Sequence, residues 1–177
     1  MKIDLFYFIF MTMRKTFKIV KRLSAGLSWR MFRGLLSKPL LLLPTIWATV
    51  ESVMYSEINF KEPHGGQGIA NAFRHAAWNL LIAKNCTQIT SQEKAIDWAK
   101  YVTDLHEECF PNNDFDKLMD LHNNRIGREV FEKLMDENIQ SKKEMIRYLV
   151  EKTKTGVGLS DEKEFKNHKD EMVYLDK

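Results

Sequence analysis

The chain has 177 residues, 44% apolar and 29% charged, with only 8 glycines, 4 prolines and 2 cysteines. That suits one helical domain with one core, and excludes a disulfide-framework protein, a low-complexity chain and a CxxC metal knuckle. Residues 1–50 hold nine Lys/Arg against Asp4, while residues 51–177 hold 18 basic and 23 acidic groups; a basic arm therefore precedes a mildly acidic body.

Leu5–Met11 is apolar but too short to span a bilayer, and no small-residue cleavage site follows it. Met11 and Met13 offer alternative starts. Residues 14–36 read as a basic amphipathic helix. Phe17, Val20, Leu27, Met31 and Leu35 form its apolar stripe, and Lys15, Lys18, Arg22 and Arg33 lie on another face. Such a helix either lies on an anionic membrane surface or packs on the body with its basic face in water.

Ser37-Lys38-Pro39 should break that helix, and Pro44 suits the first turn of the next. Ile46, Val50, Val53, Met54 and Ile58 follow at helical spacing and predict its core face. His64-Gly-Gly-Gln-Gly68 predicts a loop. Residues 69–85 predict a helix that is apolar nearly all round, hence buried. A capping box at Thr90 and Glu93 predicts a helix from about Ser91 to Pro111. Another should run from Asn112-Asn113-Asp114 to about Asn138, and a last one from a second box at Ser141 and Glu144 to about Thr155. No alternating strand pattern is visible. The expected fold is all-α, with five to seven helices: an arm over 1–38, a core over 39–158 and a charged tail over 159–177.

Chemistry concentrates in three clusters: Asn71-Ala-Phe-Arg-His75-Ala-Ala-Trp-Asn79, Thr103-Asp-Leu-His106-Glu107 and Met119-Asp-Leu-His122-Asn-Asn-Arg-Ile-Gly-Arg128. Asn71, His75 and Asn79 share one helical stripe with Arg74 beside it. Phase turns His106 inward with Val102 and Cys109, sets Glu107 about 100° away, and points Asp104 elsewhere. Asp120, Asn123, Asn124, Gly127 and Arg128 fall on one side of their helix and His122 on the other. Gly127 costs about 1 kcal/mol inside a helix and predicts close approach of a ligand or another backbone.

The nitrogen and oxygen donors suit Zn, Mn or Fe, with Zn or Mn expected, although the spacing matches no HExxH, EF-hand, P-loop or zinc-finger pattern. The expected ligands are His75, His106 and Asp120, with His122 or Asp104 as a further one and His64 a marginal candidate. Glu107 would be general base, and Arg74 and Arg128 would hold an anionic substrate or developing charge. Asn71, Asn79, Asn123 and Asn124 would support them. The function expected is a metal-dependent hydrolase acting on a phosphoester or lipid headgroup, cytoplasmic or peripheral at the inner membrane face. The competing reading is a helical binding module with a structural polar network. No nucleic-acid reading motif is visible.

The three clusters resemble a family of small bacterial proteins of unknown function with the pattern NAFRHAxWN, TDxHE and MDLHNNxxGR, whose related domains are similar to C-terminal modules of secreted bacterial toxins. The resemblance covers roughly residues 39–135 and implies the motif positions named above, without an activity. Gly65-Gly-Gln-Gly68 followed by Arg74-His75 also loosely resembles the glycine loop and catalytic helix of secreted phospholipases A2. Ala76 stands where those enzymes carry the calcium-binding aspartate.

Overall fold

Side-chain caps start three of the helices where the sequence places them. In the computed structural model, which describes residues 29–60, 68–110 and 113–176, the side chain of Ser91 accepts from the Lys94 amide, Asn113 from Asp116 and Ser141 from Glu144. Each satisfies an amide that the first turn leaves without a partner. The described elements are α1 (Trp29–Leu36), α2 (Pro39–Asn59), α3 (Ile69–Cys86), α4 (Gln92–Cys109), α5 (Asp114–Asp136) and α6 (Lys142–Lys154). Strand β1 (Val157–Leu159), a 3₁₀ helix (Glu162–Asn167) and strand β2 (Val173–Leu175) complete the chain. The fold is all-α apart from these two short strands. His64 and residues 14–28 of the expected arm helix lie outside the described residues.

Helix α3 is the axis of the domain and packs against α2, α4, α5 and α6. Phe73, Ala76, Ala77, Leu80, Leu81 and Ile82 are fully buried along it. Each of the large ones contributes roughly 1.5–3 kcal/mol from burial. The all-round apolar pattern of residues 69–85 is thus what a central helix requires.

Helix α2 departs from expectation twice. It begins at Pro39, leaving Pro44 inside the helix. Its buried face is Leu41, Thr45, Ala48, Ser52 and Ser56, whereas Ile46 and Ile58 are exposed and Val50, Val53 and Met54 are only half-buried. The physical reason is close packing on α3 by small residues whose hydroxyls are satisfied. Thr45 Oγ1 donates to the Leu41 carbonyl at 2.7 Å and accepts from Trp98 Nε1 at 2.9 Å. Thr49 Oγ1 accepts from Trp78 Nε1 at 2.9 Å, and Ser56 Oγ donates to the Ala70 carbonyl at 3.1 Å. Glu51 joins three helices, accepting from Asn85 Nδ2 at 3.0 Å and from Lys142 Nζ at 2.7 Å.

The described part of the arm, α1, packs on α4. Met31 and Gly34 are buried, and a Cβ on Gly34 would meet Leu105 Cδ2 at 2.4 Å. Arg30 pairs with Glu108 at 2.5 Å.

The expected charged tail is not a tail. Strands β1 and β2 pair in parallel, Val157 with Val173 and Leu159 with Leu175. Met172 and Val173 are fully buried, and Leu159 and Val173 form a second small core with Met119 of α5. The charged residues of the connection occupy the exposed 3₁₀ turn, so composition masked two buried apolar anchors.

Candidate metal centre

The three clusters fall on α3, α4 and α5 where these helices meet. Gly127 brings α5 against α3: a Cβ there would stand 2.1 Å from the Ala76 carbonyl oxygen. The close approach anticipated at Gly127 is therefore to backbone. It sets His75, next to Ala76, against Asp120 and Asn124, two turns and one turn earlier on α5.

His75, Glu107 and Asp120, all buried, each offer one donor atom, and these atoms lie within 4.8 Å of one another. His75 Nε2 is 3.3 Å from Asp120 Oδ1, and His75 Nδ1 is 3.6 Å from Glu107 Oε1. Glu107 Oε1 is buried without a hydrogen-bond partner. Leaving such an atom unsatisfied costs on the order of 1–3 kcal/mol, more for a charge.

Two arginine–asparagine relays fix the orientation of these groups. Arginine can only donate. Arg128 Nη1 donates to Asn79 Oδ1 at 2.7 Å, which turns Asn79 Nδ2 onto Asn124 Oδ1 at 2.7 Å. Asn124 Oδ1 in turn faces His75 Nδ1 at 3.3 Å. That nitrogen must then carry the proton, leaving a lone pair on Nε2 facing Asp120. On the other side Arg74 donates to Asn71 Oδ1, and Asn71 Nδ2 donates to Asp120 Oδ1 at 2.8 Å. Two acceptors, His75 Nε2 and Asp120 Oδ1, are thus held face to face. Such a pair needs a proton or a cation between them.

Burial pushes the His75 imidazole down to about 3, the Arg74 charge adding to this and the Asn124 contact opposing it. A proton on His75 is therefore disfavoured at neutral pH. Burial, then the neighbouring Asp120 charge, pushes Glu107 up to about 7, with the Asn124 carboxamide pulling back. The centre is a buried cluster that holds two carboxylates once Glu107 ionises, a pairing that a divalent cation neutralises.

The remaining expected residues separate. His106 is part-buried at the edge of the cluster, edge-on to Trp78 at 5.2 Å and against Phe110 at 4.8 Å. Burial, then the proximity of His75, lowers it to about 4. The buried residues of α4 are Ala95, Trp98, Ala99, Val102, Thr103, Leu105 and Glu107. Asp104 pairs with Lys100 on the outer face. Arg128 forms no ion pair with Asp120, Asp104 or Glu107 among the described residues and serves Asn79 instead; burial lowers its pKa, with Asp104 opposing.

His122 and Asn123 face away from the centre. His122 Nε2 lies 2.7 Å from the Glu171 carbonyl, and its ring meets Phe165 edge-on at 4.9 Å. Asn123 grips β2 at both ends of its amide: Nδ2 donates to the Val173 carbonyl at 2.8 Å and Oδ1 accepts from the Val173 amide at 3.1 Å. Thr103 was the residue sequence reasoning missed. Its Oγ1 lies 3.2 Å from Asn79 Oδ1, and its i, i+4 spacing to Glu107 was the available signal.

No described helix is long and apolar enough to cross a membrane. No curated protein and no solved structure matches the chain. A family model does match over residues 32–157, which runs from within α1 to the start of β1 and includes every motif residue. The chain therefore belongs to the family described as a domain of unknown function, DUF6973.

Proposed function

We propose that the chain is a metal-dependent hydrolase whose centre holds one divalent cation, Zn or Mn, on His75 Nε2, Asp120 and Glu107. The observation that carries this reading is the pair of facing acceptors, His75 Nε2 and Asp120 Oδ1 at 3.3 Å, with the unpartnered Glu107 Oε1 in the same buried cluster. One nitrogen and two carboxylates are a donor set for such a metal, with a position left for substrate. A cation there supplies Lewis-acid polarisation of a phosphoester or ester oxygen. His106, neutral and part-buried beside the cluster, suits proton transfer, while Arg74 and Arg128 hold the ligand-bearing side chains in place and add positive charge toward an anionic substrate. Cys86 and Cys109 form no disulfide with each other, which supports a reducing, cytoplasmic setting.

The test is elemental analysis of protein purified without a nickel column, then titration with Zn and Mn. About one metal per chain, lost in Asp120→Asn and Glu107→Gln, is the expected result. Hydrolysis of chromogenic phosphodiesters and carboxyl esters by the loaded protein, absent in both variants, would establish the activity. A chain that takes up neither metal overturns the reading.

The second reading is a non-catalytic helical binding module in which the cluster is a structural network. It is favoured by the four contacts of Asn79, which joins α3, α4 and α5 through His75, Thr103, Asn124 and Arg128. It requires His75→Ala to unfold the protein; a folded, metal-free His75→Ala variant in circular dichroism rejects it.

A further inference from the structure

Helix α2 is built inside out. Thr45, Ala48, Ser52 and Ser56 face the core, while Leu40 (75% exposed), Leu43 (76%) and Trp47 (57%) stand open to solvent. These three recur at i, i+3 and i+7, so they form one continuous outward stripe. Helix α1, joined to α2 through Ser37–Lys38, repeats the pattern: Trp29, Phe32 and Leu36 are exposed at the same spacing, and Trp29 stacks on Phe32 at 5.5 Å. Scattered exposed apolar side chains need no explanation, but two consecutive stripes of this size do.

Charge selects the occupant. Residues 1–50, which contain both stripes, hold nine Lys/Arg and one acidic residue. A second copy of the chain would bring this positive segment against itself across a two-fold axis. An anionic bilayer instead offers hydrocarbon to the leucines, an interface to the tryptophans and negative headgroups to the lysines and arginines.

We infer that the outward faces of α1 and α2 dock the domain on an anionic membrane surface. Docking is by lying on the bilayer, not by spanning it, since the opposite face of α2 is committed to α3 and α4 through Thr45, Thr49 and Ser56. This surface is independent of whether the buried centre binds metal.

The test uses the full chain with vesicles of phosphatidylcholine alone and of an equimolar mixture of phosphatidylcholine and phosphatidylglycerol. The protein is expected to co-sediment with the mixed vesicles in preference to the neutral ones, with a blue shift of tryptophan emission. Leu40→Ser/Leu43→Ser should keep the helical circular-dichroism spectrum, because both side chains are exposed, and should weaken partitioning by at least about tenfold. Protein left in the supernatant with both vesicles, equal binding to both, or a folded variant that binds like wild type overturns the proposal. So does a dimer in sedimentation velocity that the double substitution dissolves while vesicle binding is absent.

Discussion

Gly127 on α5 sits over Ala76 on α3 with no room for a methyl group: an added Cβ would lie 2.1 Å from the Ala76 carbonyl oxygen and 2.7 Å from its carbonyl carbon. The obstacle is helix backbone, so no rotamer change relieves it. Gly127→Ala is expected to destabilise the fold by about 3 kcal/mol or more, the upper end for overpacking. In a chain of this size that is a fall of roughly 6–12 °C in Tm. Thermal denaturation measures it, and an unchanged Tm would contradict the close crossing.

Glu107→Gln should separate stability from function. The folded chain keeps the Glu107 proton up to about pH 7, whereas the ordinary value is 4.5. The folded state thus binds more protons in that window, and this group's contribution to stability is lost as pH rises through it. Gln mimics the protonated acid. The variant should gain on the order of 3 kcal/mol over wild type at pH 8, with the gain fading toward pH 4.5. Paired melting curves across pH test this. A variant less stable at pH 8 would mean that the carboxylate holds the fold together.

Metal uptake should carry the same signature with opposite consequence. A cation must displace the Glu107 proton, whereas His75, held down to about 3, has none to lose. Apparent affinity should therefore rise about tenfold per pH unit below 7 and level off above it. Calorimetric titration at several pH values checks the slope. A plateau that begins near pH 4 would remove Glu107 from the ligand set.

Asn123 and Asn124 are adjacent and should behave differently. Asn123→Ala leaves the Val173 amide and carbonyl without their partner. It should cost about 2–4 kcal/mol and expose residues 157–176 to hydrogen exchange, while metal stoichiometry is unchanged. Asn124→Ala removes the acceptor facing His75 Nδ1 and should weaken metal binding 10–100-fold, as loss of a ligand's supporting partner does. Similar metal affinities in the two variants would refute the division.

Local signals in the chain were enough for most helices. Ser91, Asn113 and Ser141 carry their caps in the sequence, although the Thr90 box places the first of them one residue early. Asn138, at φ 59°, closes the turn after α5 where its helical pattern ends. The apolar circumference of residues 69–85 announced a central helix, and Gly127 announced a close approach. Helical phase also separated His122 from the Asp120–Arg128 side.

The rest required neighbours. A stripe of apolar residues gives the amphipathic axis of α2 but not its sign, because hydroxyls can be buried when Trp98, Trp78 and Ala70 supply partners. Phase cannot rank His106 against Glu107, since adjacent residues on α4 differ only in which helices flank them. Nor can composition see that Met172 and Val173 anchor a charged segment. The sequence by itself determined the helices and the polar residue types gathered on three of them. Only tertiary structure chose His75, Glu107 and Asp120 as one cluster, because interatomic distances between helices depend on how closely the backbones cross, here at Gly127 and Ala76.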